Sequence, residues 1–520
     1  MLDSFFFDTA ANEPDRPALW VDERLYRYDE IAARAQRIAA GLAAVMPAGK
    51  ARRCLLFAHR SVAAYAGLLG ILKAGCAYVP VNPNTPAARI AAVIAQSGAP
   101  VLLVDRRCAA VLVNVLPLLN ASPAIFLIDD EEEGDALNGL PAIAFTAEPA
   151  PRSSDDRAYI LFTSGSTGAP KGVPISHANA CAYVASQLPS IGRLPDARYL
   201  QLCEISFDPS VHDMFVCWAN GGCLYVPKTA EPIYNAAFVK QHAITHWCSV
   251  PSVAAFMQQL RKLPADEFHS LRVTLFGGEP LPRWLVQAWM RAAPNTRVLN
   301  CYGPTETTVA CSAFEVTAEF IAVSQHSVMP LGEALPGMEL LIVDSALDPV
   351  TPGVSGELLI GGPQVASGYL SPDEPGNRRF VSAHYPGCSA SRWYRSADVA
   401  REVAGMGMVF LGRLDSQVKI RGNRIELEEV ELVVQACSEA ALCAVLPWPV
   451  DEAGRAGGLI AFVSDAQHDS VRILRACRER LPAYAVPQRI VMLDAVPLNV
   501  NGKIDRKALA AQCESGDVLI

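Results

Sequence analysis

The 520-residue sequence is short of charge, with 19% Asp, Glu, Lys and Arg, and short of aromatic side chains, at 8%. With 51% hydrophobic residues and a mean hydropathy of +0.20, this scarcity excludes a disordered or heavily solvated chain and leaves a globular one. Basic runs are missing too: 44 Lys and Arg against 53 Asp and Glu give a net charge of −9. That balance excludes a nucleic-acid or anionic-membrane surface as the main business of the chain. No stretch approaches the roughly twenty apolar residues that cross a bilayer. The start, MLDSFFFDTAANEPDRP, lacks the basic region and long apolar run of a signal peptide. The chain is therefore read as soluble and cytoplasmic. Its 15 cysteines include no C-x-x-C pair, which removes the usual zinc and thioredoxin-like spacings and makes most of them small buried hydrophobes in a reducing compartment. Internal repeats and low-complexity linkers are likewise absent, and the length suits about three to four domain-sized units.

What is present is alternation. IAARAQRIAAGLAAV (31–45) carries apolar residues at helical spacing, whereas CLLFA (54–58), VLLVD (101–105), AIFLID (124–129) and AYILFT (158–163) are short apolar runs bounded by turn formers. Strands buried on both faces read this way, and their alternation with helices predicts layered α/β sheets. From about residue 330 to 413 the pattern changes to shorter strands with Gly and Pro turns: LLIVD (340–344), GELLIGG (356–362) and GMVFLGR (407–413). This predicts a β-rich subdomain. GRLDSQVKIRGNRIELEEVELVVQA (412–436) passes from a hairpin pattern into a helix, and apolar runs follow near 441–447 and 458–463. The expected fold class is α/β: a large N-terminal domain over 1–413 and a small mobile α+β C-terminal domain over 414–520. PAPRSSDD (149–156) is expected to be an exposed loop.

The sharpest local signal runs from Tyr159 to Val173, YILFTSGSTGAPKGV. A strand enters a loop dense in Gly, Ser and Thr that closes on Lys171 and Gly172. Glycines let backbone N–H groups approach an anion, hydroxyls add donors and the lysine adds a mobile positive charge, so the loop suits a polyphosphate. It lacks the G-x-x-x-x-G-K-[ST] spacing of a Walker A loop. A second element is NCYGPTETT (300–308), whose Gly303-Pro304 turn is expected to present Tyr302, Thr305 and Glu306 at a strand end, a favoured ligand position in α/β sheets.

Together with YRSAD (394–398), GRLDSQVKIRG (412–422) and NGKIDR (501–506), these motifs make the chain resemble the adenylate-forming superfamily, and within it the amino-acid-activating adenylation domains of nonribosomal peptide synthetases. The resemblance spans nearly the whole chain in the family's order. It includes LYRYDEIAARAQRIA (25–39), LKAGCAYVPVNP (72–83) and LPAYAVP (481–487). It implies a ligase with ATP and Mg²⁺ that activates an amino acid and loads it on a carrier protein's phosphopantetheine thiol. By position it implies that Thr163, Ser164, Gly165, Ser166, Thr167, Gly168 and Lys171 face phosphates and that Thr305 approaches the α-phosphate. Glu306 would hold Mg²⁺, Tyr302 stack on adenine, Asp398 bind the ribose hydroxyls and Arg413 lie near the ribose. Lys503 is the implied catalytic lysine and Asp415 the implied hinge, with Lys419 and Gly422 facing the pantetheine entry in one orientation. Two departures stand out. Ser396-Ala397 occupies the place of Thr-Gly, which puts the local turn in doubt, and Glu428 stands where Gly is usual, at a helix start.

FDPSVHDMF (207–215) resembles the segment that opens the amino-acid pocket. Asp208 matches the acid that pairs with the substrate's α-ammonium, because a buried cation requires a partner. The remaining implied pocket positions are Pro209, His212, Cys248, Leu275, Gly277, Cys301, Val309 and Ala310. Small or apolar walls favour a bulky neutral side chain, an aromatic such as tryptophan, and the lack of a further acid in this set disfavours a cationic one. His212 either addresses a polar side chain or is a core histidine satisfied by a backbone carbonyl. The chain ends 520 − 503 = 17 residues after Lys503, which suggests either a stand-alone ligase or an excised domain. An acyl- or aryl-CoA ligase and a catalytically silent carrier-binding scaffold are the competing readings; Asp208 argues against the first and Lys503, Glu306 and Asp398 against the second.

Overall fold

In the computed structural model the described residues are 1–46, 52–120, 122–128, 152–165, 169–194, 196–229, 232–452, 454–498 and 504–515. They form two compact units. The first holds 1–83, 93–162 and 172–414; the second holds 84–92, 163–171 and 415–520.

The first unit contains two sheets built on parallel strands. The apolar runs at Arg53–Phe57, Ala77–Pro80, Val101–Val104, Ala124–Leu127 and Arg157–Thr163 are strands of a six-stranded sheet that ends on Lys171–Ser176. Val101–Val104 is buried at every position, which is why it carries no polar alternation. Helix Tyr28–Val45 packs Ile31, Ala35, Ile38 and Leu42, all fully or nearly fully buried, along one face, and the Arg27 backbone N–H donates to Glu30 at 2.7 Å to fix its first turn. Helix Val62–Lys73 is apolar all round because it is buried nearly all round.

The second sheet has nine strands. Arg198–Leu200, His246–Ser249, Val273–Gly277 and Arg297–Tyr302 run parallel in its centre, and Ser312–Val316 is antiparallel to the last of these. The β-rich subdomain is an antiparallel five-stranded sheet, with Arg392–Val403 pairing Gly356–Gly361, Phe380–Ser382 and Gly407–Arg413.

The second unit adds the hairpin Gln417–Ile420/Asn423–Glu426 and a three-stranded sheet of Leu442–Pro447, Leu459–Ser464 and Arg489–Leu493. Helices Leu427–Ser438, Ser470–Arg478 and Arg506–Ser515 belong to the same unit. Glu428 lies in the first turn of Leu427–Ser438, where a carboxylate complements the helix dipole, so its replacement of Gly is favourable locally. The expected loop at 149–156 begins outside the described residues, and its Arg152 is not a free surface charge: it donates to the buried Asp3 at 2.9 Å and to Leu72 O at 3.0 Å. Among the described residues no helix is long and apolar enough to cross a membrane.

The strand that begins at Lys171 is anchored at its far end by a reciprocal cap, in which Ser176 Oγ accepts from Asn179 N–H and Asn179 Oδ1 accepts from Ser176 N–H, both at 3.1 Å. Ser176→Ala is expected to cost about 1 kcal/mol. In urea denaturation the midpoint of the first transition falls with its slope retained, whereas an unchanged midpoint contradicts the cap's contribution.

Candidate active site

Strand Arg297–Tyr302 delivers the second motif. It ends in the Gly303-Pro304 turn and a short 3₁₀ turn over Thr305–Thr307. A Cβ on Gly303 would lie 2.6 Å from Ala310 Cα and 2.9 Å from Val309 O, so only glycine allows the chain to pass back over itself here. Thr308 and Val309 follow at φ +61° and +68°, a left-handed conformation that is strained for β-branched residues and is commonly tolerated at functional sites.

Tyr302 and the β-rich subdomain meet at Asp398. The Tyr302 hydroxyl donates to Asp398 Oδ2 and Arg413 Nη1 donates to Oδ1. Arg413 follows Asp398 by 413 − 398 = 15 residues yet stands directly across the ladder from it, because the two strands form a hairpin. The turn that Ser396-Ala397 put in doubt is intact. Ala397 adopts φ +60°, the conformation for which glycine is usual, its N–H donates to Glu357 at 3.2 Å, and Ser396 Oγ donates to Leu358 O at 2.7 Å.

Glu306 is fully buried, and Tyr369, which sequence reasoning missed, donates its hydroxyl to Glu306 Oε1 at 2.5 Å. Thr308 Oγ1 donates to Gln364 O at 2.7 Å, while the Gln364 side-chain amide, also fully buried, has no hydrogen-bond partner at either atom among the described residues. An unused buried polar atom costs about 1–3 kcal/mol, so the site is built for further polar company. A buried carboxylate beside neutral oxygen and amide groups is a hard-oxygen donor set, which fits Mg²⁺.

The implied amino-acid pocket assembles by register. Cys248 pairs with Leu275 and Gly277 pairs with Cys301 across neighbouring parallel strands. Leu275 and Gly277 are two residues apart, so all four positions share one face of the sheet. Ala310, Val309 and Tyr183 pack in the same cluster as Leu275, Cys248 and Cys301. Asp208 and Pro209 open a helical segment that continues through a π-helical turn at His212–Val216, a local feature frequent at functional sites and without a sequence signal here.

His212 is buried and lies 2.8 Å from the Tyr183 hydroxyl through Nδ1, so its partner is a phenol on another helix and not a backbone carbonyl. Burial lowers its pKa to about 4 and keeps the ring neutral. Asp213, one residue on, is a buried acid absent from the sequence-based pocket set; burial pushes its pKa well above the carboxylate range, and its Oδ2 has no hydrogen-bond partner among the described residues. Burial raises the thiol pKa of Cys248, with the charges of Asp213 and Asp208 among the further causes.

The glycine-rich loop belongs to the second unit. Thr163 Oγ1 is buried without a hydrogen-bond partner among the described residues, Ser164 Oγ donates to Arg424 O at 2.6 Å, and a Cβ on Gly165 would lie 2.3 Å from Ala169 O. Lys171 is buried, with Nζ 3.4 Å from Glu426 Oε1, to which Gln417 also donates at 2.7 Å. Glu429 receives Arg89 and the Gly165 N–H. The loop thus presents a buried cation and polar donors to carboxylates, a preference for anionic oxygens that phosphates share. Ser166, Thr167, Gly168 and Lys503 lie outside the described residues. Asp415 opens the second unit after Leu414, and Leu498 bridges Ile504 in the segment next to Lys503.

The family model described as AMP-binding enzyme matches residues 6–370, and its C-terminal domain model matches 429–503. The chain belongs to this family of adenylate-forming ligases, whose members use ATP with Mg²⁺. It is 34% identical to an L-proline--[L-prolyl-carrier protein] ligase of Pseudomonas fluorescens over 99% of both chains. It is also 34% identical to tyrocidine synthase 3 of Brevibacillus parabrevis, over 98% of this chain but only 8% of that protein. Among solved structures, the Vibrio cholerae adenylation domain AlmE in complex with glycyl-adenosine-5'-phosphate matches with a TM-score of 0.85 at 29% identity, over 99% of this chain and 98% of that one.

Ala397→Gly removes left-handed strain worth about 1–2 kcal/mol against a gain of unfolded-chain entropy of up to about 1 kcal/mol. The variant is expected to be as stable as the parent or slightly more so in thermal denaturation, with ATP affinity retained. A clear loss of stability would contradict the left-handed turn.

Proposed function

We propose that this chain couples ATP to an α-amino acid, forming an aminoacyl adenylate and pyrophosphate, and then passes the aminoacyl group to the phosphopantetheine thiol of a carrier protein. The observation that carries the reading is the continuity of one strand. Cys301 is a wall of the amino-acid pocket, and Tyr302, the next residue, joins Asp398 and Arg413 in the nucleotide cluster. The prolyl-carrier ligase and the glycyl-adenylate complex support the same activity.

Each proposed role follows from side-chain chemistry. Asp208 accepts the α-ammonium and so orients the carboxylate. Asp398, a two-oxygen acceptor, takes the ribose hydroxyls in place of its present donors, with Arg413 beside it. Tyr302 supplies a ring face for adenine. Thr163, Ser164, Gly165, Lys171 and the unplaced Ser166, Thr167 and Gly168 bind phosphate oxygens, and Thr305 addresses the α-phosphate. Magnesium, held by Glu306, supplies positive charge to phosphate oxygens when bound. A carboxylate oxygen of the amino acid bonds to the α-phosphorus as the bond to the bridging pyrophosphate oxygen breaks, and Lys503 neutralises the oxygens on which charge collects. In the second step the thiolate sulfur bonds to the acyl carbon, and AMP departs with the oxygen that linked them. Residues 1–413 are read as the adenylation core and 414–520 as the module carrying Lys503, hinged at Asp415.

The substrate is read as bulky and neutral, an aromatic amino acid such as tryptophan. Gly277 adds no side chain, the neighbouring walls are thiols and alkyl groups, and burial lowers the His212 pKa to about 4 and pushes that of Asp213 upward, both of which favour the uncharged forms. Fifteen free cysteines support a reducing, cytoplasmic setting.

Amino-acid-dependent pyrophosphate exchange across a panel of amino acids tests reaction class and substrate together. Exchange with bulky neutral amino acids is expected; exchange driven only by basic or only by non-amino acids overturns the pocket assignment. Asp208→Ala is expected to reduce kcat/KM for the preferred amino acid by about 100-fold or more, as loss of a buried charge partner costs about 3–5 kcal/mol, with ATP affinity retained. Lys503→Ala is expected to lower adenylation by about 100-fold with ATP binding intact; unchanged exchange would remove Lys503 from the mechanism.

A further inference from the structure

Three Lewis bases converge at the carboxyl edge of the six-stranded sheet, and the adenylation reading uses none of them. His59 follows strand Arg53–Phe57, Asp105 follows strand Val101–Val104 and caps helix Arg106–Val115, and Cys108 lies in that helix's first turn. His59 Nδ1 is 2.8 Å from Asp105 Oδ2 and 3.5 Å from Cys108 Sγ, and the ligating atoms of all three lie within 4.8 Å of one another. Asp105 and Cys108 are buried, and His59 is partly so.

We propose that His59, Asp105 and Cys108 form a three-ligand site for a divalent zinc-class cation. Three side chains of different chemistry turn their donor atoms toward one another, and His59 Nδ1 faces both the Asp105 carboxylate and the Cys108 sulfur. A cation bound by thiolate, imidazole and carboxylate satisfies all three. The shared nitrogen also excludes a Cys-His-Asp nucleophilic relay, which needs cysteine and aspartate on opposite ring nitrogens.

Zinc–sulfur and zinc–nitrogen bonds of about 2.3 and 2.0 Å at the tetrahedral angle hold the ligand atoms about 3.5 Å apart, and nitrogen and oxygen ligands about 3.3 Å apart. The sulfur–nitrogen separation already has this value, and the nitrogen–oxygen contact needs to open by about half an ångström. Asp105 is fixed by backbone N–H groups, His59 to Oδ2 at 2.7 Å and Cys108 to Oδ1 at 2.6 Å, the kind of outer bonding that orients a metal's carboxylate ligand. Arg107 Nη2, 4.0 Å from Asp105 Oδ2, is the nearby cation, and its side chain is 68% exposed and able to turn into solvent. Three protein ligands leave a fourth position for water. Bound metal would tie the loop after one strand to the helix after another.

The test is titration of the chelator-treated, reduced full chain with Co²⁺. The expected result is a sulfur-to-cobalt charge-transfer band saturating at one equivalent and erased by Zn²⁺. The band is lost in Cys108→Ser and its affinity falls at least about tenfold in His59→Gln. Pyrophosphate exchange persists in both variants, which shows that they fold. No band in the parent chain, or the same band in both variants, overturns the proposal. Should Cys108→Ser lose exchange activity through misfolding, His59→Gln, altered at a partly solvated ring, decides alone.

Discussion

A buried carboxylate needs partners, and the partners of Asp398 come from two sheets. Tyr302 reaches it from the nine-stranded α/β sheet, and Arg413 reaches it from the adjoining strand of the five-stranded sheet. Leaving one such group unpaired in a protein interior costs several kcal/mol, so the contact fixes how the β-rich subdomain closes on the parallel sheet. The surroundings are arranged to keep the carboxylate in place: a left-handed Ala397, the Ser396 hydroxyl turned to Leu358 O, and a hairpin that puts residue 413 opposite residue 398. The carboxylate is thus oriented and desolvated by the fold itself, which is the structural form of preorganisation.

The amino-acid side obeys the same economy of charge. Burial sets the charges around the implied pocket: His212 is deprotonated and bonded to Tyr183, Asp213 is driven toward its protonated form, and the thiols of Cys248 and Cys301 are pushed upward, that of Cys301 to about 12. The glycine-rich loop shows the complementary case. Lys171 is buried, and its counter-charge is Glu426. Loop lysine and loop donors are satisfied by oxygen anions whichever molecule supplies them.

Much of the fold was legible because burial on both faces writes itself as unbroken apolar runs. The stretches at 54–58, 101–105 and 158–163 fall within a residue or two of the observed strands, and 407–413 coincides with one. That Cys248, Leu275, Gly277 and Cys301 share one face of the sheet was not legible from local pattern, since they are unremarkable residues until parallel register brings them together. Tyr183 and Tyr369 were not legible: their partners lie 212 − 183 = 29 and 369 − 306 = 63 residues away, and no local pattern encodes such pairing. Nor was the role of Glu426, which reads as one more acid at a hairpin end, or the convergence of His59 with Cys108, whose separation of 49 residues matches no metal-binding motif. Sequence periodicity reports which face is buried; it does not report which polar group a buried side chain will meet.

Adenylate formation requires a direct bond between the amino acid's carboxylate and the nucleotide's α-phosphorus. Labelling both carboxylate oxygens with ¹⁸O and analysing the AMP released after carrier loading tests it most directly. One labelled oxygen in each AMP is the predicted result. Unlabelled AMP, or release of ADP in its place, would contradict it.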